Sequence, residues 1–180
     1  IEDVVTYADI SMNTDFHTIE MLSDEAVKQN KIHKIIIMID LGELREGVMR
    51  EDFVDFYANV FQMKNIEVVG LGTNLACLYG IKPNNDKLLQ LCLYKQLIEL
   101  KFNVKIPFVS GGSSVTIPLI KQGLLPKDIN HFRVGETLFM GTDAYNNVPF
   151  KNMDNDIFKL YAEIIELYEK FSPVKVYYDF

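Results

Sequence analysis

The tract Ser110-Gly111-Gly112-Ser113-Ser114 places two adjacent glycines between hydroxyl-bearing residues. Adjacent glycines let a backbone turn sharply and approach a ligand closely. Free N–H groups at the start of a following helix, with serine hydroxyls beside them, attract an anion, and phosphate is the natural guest. The same tract also reads as a tight strand-to-helix turn with a serine cap. A second glycine turn follows one unit later, at Arg133-Val134-Gly135-Glu136-Thr137. Consecutive turns at the C-terminal ends of neighbouring strands build phosphate sites in many barrels. The N–H groups of Gly112, Ser113, Ser114 and Gly135 are therefore expected to face one hollow. Neither turn is a Walker loop, because no Gly-Lys-Ser/Thr follows, and the glycine spacing is not a dinucleotide fingerprint.

Two further clusters sit at the ends of apolar runs. Asp40-Leu41-Gly42-Glu43-Leu44-Arg45-Glu46-Gly47 carries Arg45, whose planar fork could grip a carboxylate or a phosphate. The bland alternative is a solvated loop in which Arg45 pairs with Glu43 or Glu46. Thr73-Asn74-Leu75-Ala76-Cys77 closes the next run. Asn74 can donate and accept hydrogen bonds in a pocket. Cys77 could be a proton-transferring or nucleophilic thiol, although a lone cysteine is more often a small hydrophobe. Cys92 falls on an apolar helix face. His17, His33 and His131 have no partners at metal-ligand spacing, so no metal site is expected.

The elements that must position these clusters alternate. Residues 33–40, HKIIIMID, form a continuous apolar run of the kind found in strands covered on both faces. Residues 65–72 (NIEVVGLG), 104–110 (VKIPFVS), 132–134 (FRV) and 7–11 (YADIS) give four more strands. Helical spacing occupies 14–29, 51–62, 85–101 and 115–122, and Thr14, Asp15 and Thr18 supply cap-type residues. Repeats of strand and helix at this spacing are βα units, and the four strands from 35 onward are expected to be parallel neighbours in chain order. Five strands suit either a complete open sheet or part of an eight-stranded barrel. Residues 156–170 satisfy both helical and strand periodicity, and 174–180 read as β.

The chain has 180 residues, with 18 Lys and Arg against 25 Asp and Glu, for a net charge of −7. That balance argues against a nucleic-acid binder or an anionic-membrane binder. The longest clean apolar run, 35–39, is far too short to span a membrane, and the opening Ile-Glu-Asp is no signal sequence. Two cysteines make no disulfide framework, so free thiols and a cytoplasmic setting are expected.

Taken in order, YADISMN (7–13), IMIDLGELREG (37–47), GLGTNLACLYGIKP (70–83), FVSGGSS (108–114) and INHFRVGETLFMG (129–141) resemble segments of the ornithine racemase-like family. That family belongs to the alanine racemase group of pyridoxal-phosphate (PLP) enzymes. The resemblance implies an α/β fold, part of a TIM-type (β/α)8 barrel followed by the start of a C-terminal β domain. Residues 1–152 would supply barrel strands four to eight, and 153–180 the first strand or strands of the β domain, with 158–167 extended.

The resemblance also assigns roles. Ser110, Gly111, Gly112, Ser113, Ser114, Val134 and Gly135 match the turns that hold the PLP phosphate. Arg133 matches an arginine at the pyridine nitrogen, where an always-charged guanidinium keeps that nitrogen unprotonated and tempers the electron sink. Asn74 stands where alanine racemases place a histidine beside the ring. Arg45 matches an arginine near the phenolic oxygen and the substrate carboxylate. The implied reaction is loss and return of the α-proton of ornithine or another basic amino acid, joined to the cofactor as an imine, in a cytoplasmic homodimer. The Schiff-base lysine of the family lies on the first barrel strand and its opposite-face tyrosine in the C-terminal domain. Neither region has a counterpart in this chain, which is therefore expected to be inactive alone. Met38 stands where some alanine racemases have a lysine. Two alternatives remain: a non-catalytic PLP-binding barrel, or a structural open-sheet domain.

Overall fold

The computed structural model describes residues 1–77 and 80–169. Five strands, β1 (Ile10–Asn13), β2 (His33–Met38), β3 (Ile66–Gly72), β4 (Phe108–Ser113) and β5 (His131–Arg133), lie side by side in chain order. Every pairing is parallel. Parallel neighbours require crossovers, and right-handed crossovers wound in one direction put their helices on one face. A doubly wound sheet would reverse its strand order at a switch point. The order here never reverses, so the sheet is half of a barrel wall rather than a doubly wound sheet. Among the described residues β1 pairs only with β2 and β5 only with β4, which leaves both flanks as open edges.

The crossovers are α2 (Phe16–Lys28), α3 (Phe53–Val60), α4 (Asn85–Phe102) and α5 (Ile117–Lys121); α1 (Glu2–Tyr7) precedes β1 and α6 (Glu136–Met140) follows β5. Asp15 caps α2, its carboxylate accepting from Thr18 N at 2.7 Å, and Asn84 caps α4 through Lys87 N at 2.9 Å. Asn103 ends α4 in the left-handed conformation.

Alternation along β2 explains its unbroken apolar sequence. Ile35, Ile37 and Ile39 pack into the helix-side core with Ile19, Phe53, Tyr57, Leu71, Leu88, Leu91 and Val109. Ile36 and Met38 face the other side, with Val69, Met12 and Phe108. That second cluster is the side of the sheet that a barrel turns inward.

Three expectations change. Tyr7 belongs to α1, and the first strand starts three residues later, at Ile10. The fourth strand starts at Phe108 and not near 104, because Pro107 has no N–H to give a ladder. Residues 156–169 form neither helix nor strand, so the extended segment expected at 158–167 is absent from this structure. Its apolar side chains, including Leu160 and Ile165, stand in solvent. A strand needs a neighbour to accept its backbone hydrogen bonds, and among the described residues this segment has none. Residues 174–180 lie outside the described residues. A two-stranded antiparallel ribbon, β6 (Thr142–Asp143) with β7 (Val148–Pro149), closes the folded part.

Candidate functional site

The C-terminal ends of β3, β4 and β5 meet around a hollow of about 340 Å³, a size suited to a small cofactor. Its wall is made of Asn74, Leu75, Ala76 and Cys77 after β3, Ser113, Ser114 and Val115 at the end of β4, and Arg133, Gly135 and Glu136 after β5. Parallel pairing produces this convergence. Thr73 N donates to Ser110 O at 3.0 Å, and Ser113 stands opposite Arg133.

The first glycine tract differs from its expected form. Gly111 and Gly112 are not a turn after the strand but continue β4, with a register shift between Ser110 and Ser113 that marks a bulge. Gly112 holds φ +110°, which only glycine adopts readily. Ser110 is fully buried, and its hydroxyl shares a 2.9 Å hydrogen bond with His131 Nδ1. Burial, and then the Arg133 charge, hold that imidazole below its ordinary pKa. Ser110, Gly111 and Gly112 thus shape the strand end, while Ser113 and Ser114 reach the hollow. Val134 does not line it.

Ser114 is the point of convergence. Its hydroxyl oxygen accepts from Gly135 N at 3.2 Å and from Thr137 N at 3.1 Å. The Gly135 N–H, expected to face the hollow together with those of Gly112, Ser113 and Ser114, is instead closed onto the Ser114 hydroxyl. α6 has five residues and α5 five, so discrete N–H groups rather than helix dipoles carry any attraction for an anion.

Arg133 and Arg45 are linked by a residue that sequence reasoning did not single out as a site residue. Glu46 Oε1 accepts from Arg133 Nη2 at 3.1 Å and from Arg45 Nη1 at 3.3 Å. Arg45 accordingly forms the pair expected of a loop residue, and it stands beside the hollow rather than on its wall. Cys77 is exposed and free, and its backbone N–H is held by Glu43. Glu43 and Glu46 lie in the same strand-end loop as Arg45, and the sequence offered them only as its ion-pair partners. Among the described residues no three His, Cys, Asp or Glu side chains are grouped to hold a metal ion, and no helix is long and apolar enough to cross a membrane.

The donor set fits a flat, anionic group. Two backbone N–H groups already aim at one oxygen position, that of Ser114. At Gly135 the place a Cβ would take has no atom within 4 Å. Arg133 Nε is buried and has no hydrogen-bond partner among the described residues.

The alanine racemase N-terminal domain model matches residues 2–143. The chain is 43% identical over 171 residues to ornithine racemase of Acetoanaerobium sticklandii, covering 94% of this chain and 48% of that protein. It is 34% identical over 170 residues to lysine racemase of Thermotoga maritima, covering 94% and 47%. The chain thus spans about half the length of the curated relatives it matches. Among solved structures, PipY of Synechococcus elongatus, determined without PLP, superposes with a TM-score of 0.62 at 16% identity, covering 77% of this chain and 64% of that one. Alanine racemase of Clostridium difficile, in complex with cycloserine, gives 0.54 at 19%, covering 84% and 40%. These likenesses establish the barrel fold. With strand order, strand-end loops and sequence in agreement, this chain belongs to the alanine racemase N-terminal domain family.

Proposed function

We propose that the protein carrying this chain is a PLP-dependent amino-acid racemase acting on a basic amino acid, ornithine or lysine. The observation that carries the proposal is the gathering of Ser113, Ser114, Arg133, Gly135 and Asn74 around one hollow at three parallel strand ends. The names of the two relatives support the substrate class, and the net charge of −7 agrees with a cationic substrate.

In this reading the Ser113 and Ser114 hydroxyls and the N–H groups of Gly135 and Thr137 hold the phosphate, with Ser114 exchanging its two N–H partners for a phosphate oxygen. When bound, PLP supplies an electron sink that acidifies the α-proton of an amino acid joined to it. Arg133 presents a fixed positive charge toward the ring, and Glu46 holds that guanidinium in place. Asn74 would hydrogen-bond to the ring, and Arg45, tethered by the same carboxylate, would serve the substrate carboxylate. Cys77 has an exposed thiol on the wall and is a candidate proton carrier. The lysine that joins the cofactor and the facing base would come from outside this chain. We also assign 1–152 to the barrel and 153–180 to the start of a β domain, in a cytoplasmic homodimer that binds no nucleic acid.

The test is a PLP titration of the full-length protein followed by absorbance, with racemisation of L-ornithine and L-lysine read by chiral chromatography. Gly135→Leu is the probe, because the new side chain enters space with no atom within 4 Å, and Gly135→Ala controls for a backbone whose φ −123°, ψ −74° is neither helical nor extended. Gly135→Leu should weaken PLP binding tenfold or more by displacing one or two charge-assisted hydrogen bonds, worth about 1.5–3 kcal/mol each. Unchanged affinity would remove the phosphate assignment. PLP binding without racemisation of any basic amino acid would favour the non-catalytic alternative.

A further inference from the structure

After β3 the chain must turn before α4 begins, and it does so through Ala76, Cys77, Gly80 and Ile81. Among the described residues, four N–H groups of this turn converge on one side chain. Glu43 Oε2 accepts from Ala76 N and Ile81 N, each at 3.0 Å; Glu43 Oε1 accepts from Cys77 N at 2.8 Å and Gly80 N at 3.2 Å. Glu43 is 1% exposed. A carboxylate offers about four acceptor positions on two oxygens, enough to receive all of these donors. The turn also closes on itself through Ala76 N to Ile81 O at 2.9 Å. Ala76 and Gly80 both take left-handed backbone, φ +55° and +69°. That conformation is unfavourable for alanine and persists only where its surroundings impose it.

Glu43 is itself firmly mounted. Its loop folds back on β2, with Asp40 N donating to Val48 O and Val48 N to Met38 O. Asp40 Oδ1 accepts from Gly42 N at 2.6 Å, and Lys87 of α4 donates to Leu41 O at 2.6 Å. The turn it organises carries Ala76 and Cys77 directly, and Asn74 and Leu75 immediately before them; all four line the hollow.

We infer that Glu43 is a positioning residue of the site: its buried carboxylate is the template on which the β3–α4 turn folds, and through that turn it sets where Asn74 and Cys77 stand. The inference rests on reading the hollow as the cofactor site. Glu43 touches neither cofactor nor substrate and acts only through the turn. The chemistry requires a charged acceptor, because an amide at this place would set its NH2 against two N–H donors.

The test uses the full-length protein with Glu43→Ala and the isosteric Glu43→Gln, read by hydrogen exchange, PLP titration and kinetics. In both variants the amides of Ala76, Cys77, Gly80 and Ile81 should exchange at least tenfold faster, while β2 and β3 keep their protection. PLP affinity should fall about tenfold. Millimolar acetate should partly restore both properties in Glu43→Ala by refilling the carboxylate's place, and should not do so in Glu43→Gln, where the place is filled. Unchanged exchange at the four amides would overturn the inference. So would acceleration spread equally over β2 and β3, which would make Glu43 a general stabiliser, and so would local acceleration with PLP affinity and KM unaltered. If the wild-type protein fails to bind PLP, the functional reading falls, while the exchange arm still decides whether Glu43 templates the turn.

Discussion

Ser114→Ala isolates the oxygen on which the β4 and β5 turns converge. The hydroxyl accepts from Gly135 N and Thr137 N, the second of these bonds buried, and no side chain within α6 caps that helix. Ser114 therefore serves as a cap supplied from another strand. Losing a helix cap costs about 0.5–2 kcal/mol, and orphaning a buried donor about 1–3 kcal/mol. A loss of about 2 kcal/mol for local opening follows, or roughly thirtyfold faster exchange at the Thr137 amide where exchange tracks the opening equilibrium. Ser113→Ala is the control, since the Ser113 side chain makes no hydrogen bond among the described residues; it should change exchange less than twofold. Inorganic phosphate should then slow exchange at Gly135 and Thr137 in Ser114→Ala, because an anion offers the freed N–H groups a new acceptor. Exchange at Thr137 equal in the two variants would refute the capping argument. Faster exchange at Thr137 in Ser114→Ala with no slowing by phosphate would separate a structural cap from an anion site.

Further outcomes follow from particular contacts. Gly47→Ala should destabilise the protein by about 3 kcal/mol or more in a denaturant titration, because at φ +131° a Cβ would collide with the Asp40 amide nitrogen and the Ile39 carbonyl carbon; the Glu43 and Glu46 contacts should fail with it. Tyr57→Phe should stabilise by about 1 kcal/mol, since the Tyr57 hydroxyl is buried without a hydrogen-bond partner among the described residues; a clear loss of melting temperature would show that the hydroxyl has a partner. Glu46→Gln removes a half-buried charge shared by two guanidinium groups, and should lower turnover roughly fivefold with PLP affinity within threefold. Burial lowers the His33 pKa below its ordinary 6.5. The unfolded chain therefore takes up that proton first, and stability should fall as pH drops below about 6.5 toward the folded value. Replacing His33 by Gln should flatten that slope in melts between pH 5 and 7.

Much of the frame could be read from local pattern. β2 announced itself because both its faces are covered, and Asp15 marked a helix start because its short polar side chain caps free N–H groups. α1 was missed: six residues beginning with two acids carry too little periodicity to distinguish them from a strand approach. Gly111-Gly112 looked like a turn, and local sequence alone could not reveal that pairing with β5 draws the tract into a bulged strand. In the site, Ser113, Ser114 and Gly135 were legible because their types limit what they can do. Beyond the Arg45–Glu46 pair, the roles of Glu43 and Glu46 were not, because Glu43 meets Ala76, 33 residues on, and Glu46 meets Arg133, 87 residues on, and only the folded sheet makes them neighbours. Residues 156–169 fit two periodicities, and which one they follow depends on a partner that their own sequence does not contain.

The chain-ordered sheet also bears on how the protein can be made. Ile10 meets Lys34, Ile35 meets Val68, Gly70 meets Phe108 and Ser110 meets His131; no strand waits for one synthesised much later. Each pairing closes one modest loop, and the entropy of closure rises only slowly with loop length. As the chain leaves the ribosome, each new βα unit finds its docking edge already emerged, so assembly can proceed vectorially, N-terminus first. At every stage the growing edge is also a sticky one, open to the wrong strand as readily as the right one. The longest wait is between β3, which ends at Gly72, and β4, which begins at Phe108; that interval is the moment of greatest exposure to misassembly, and slowing translation there should change the soluble yield more than slowing it elsewhere.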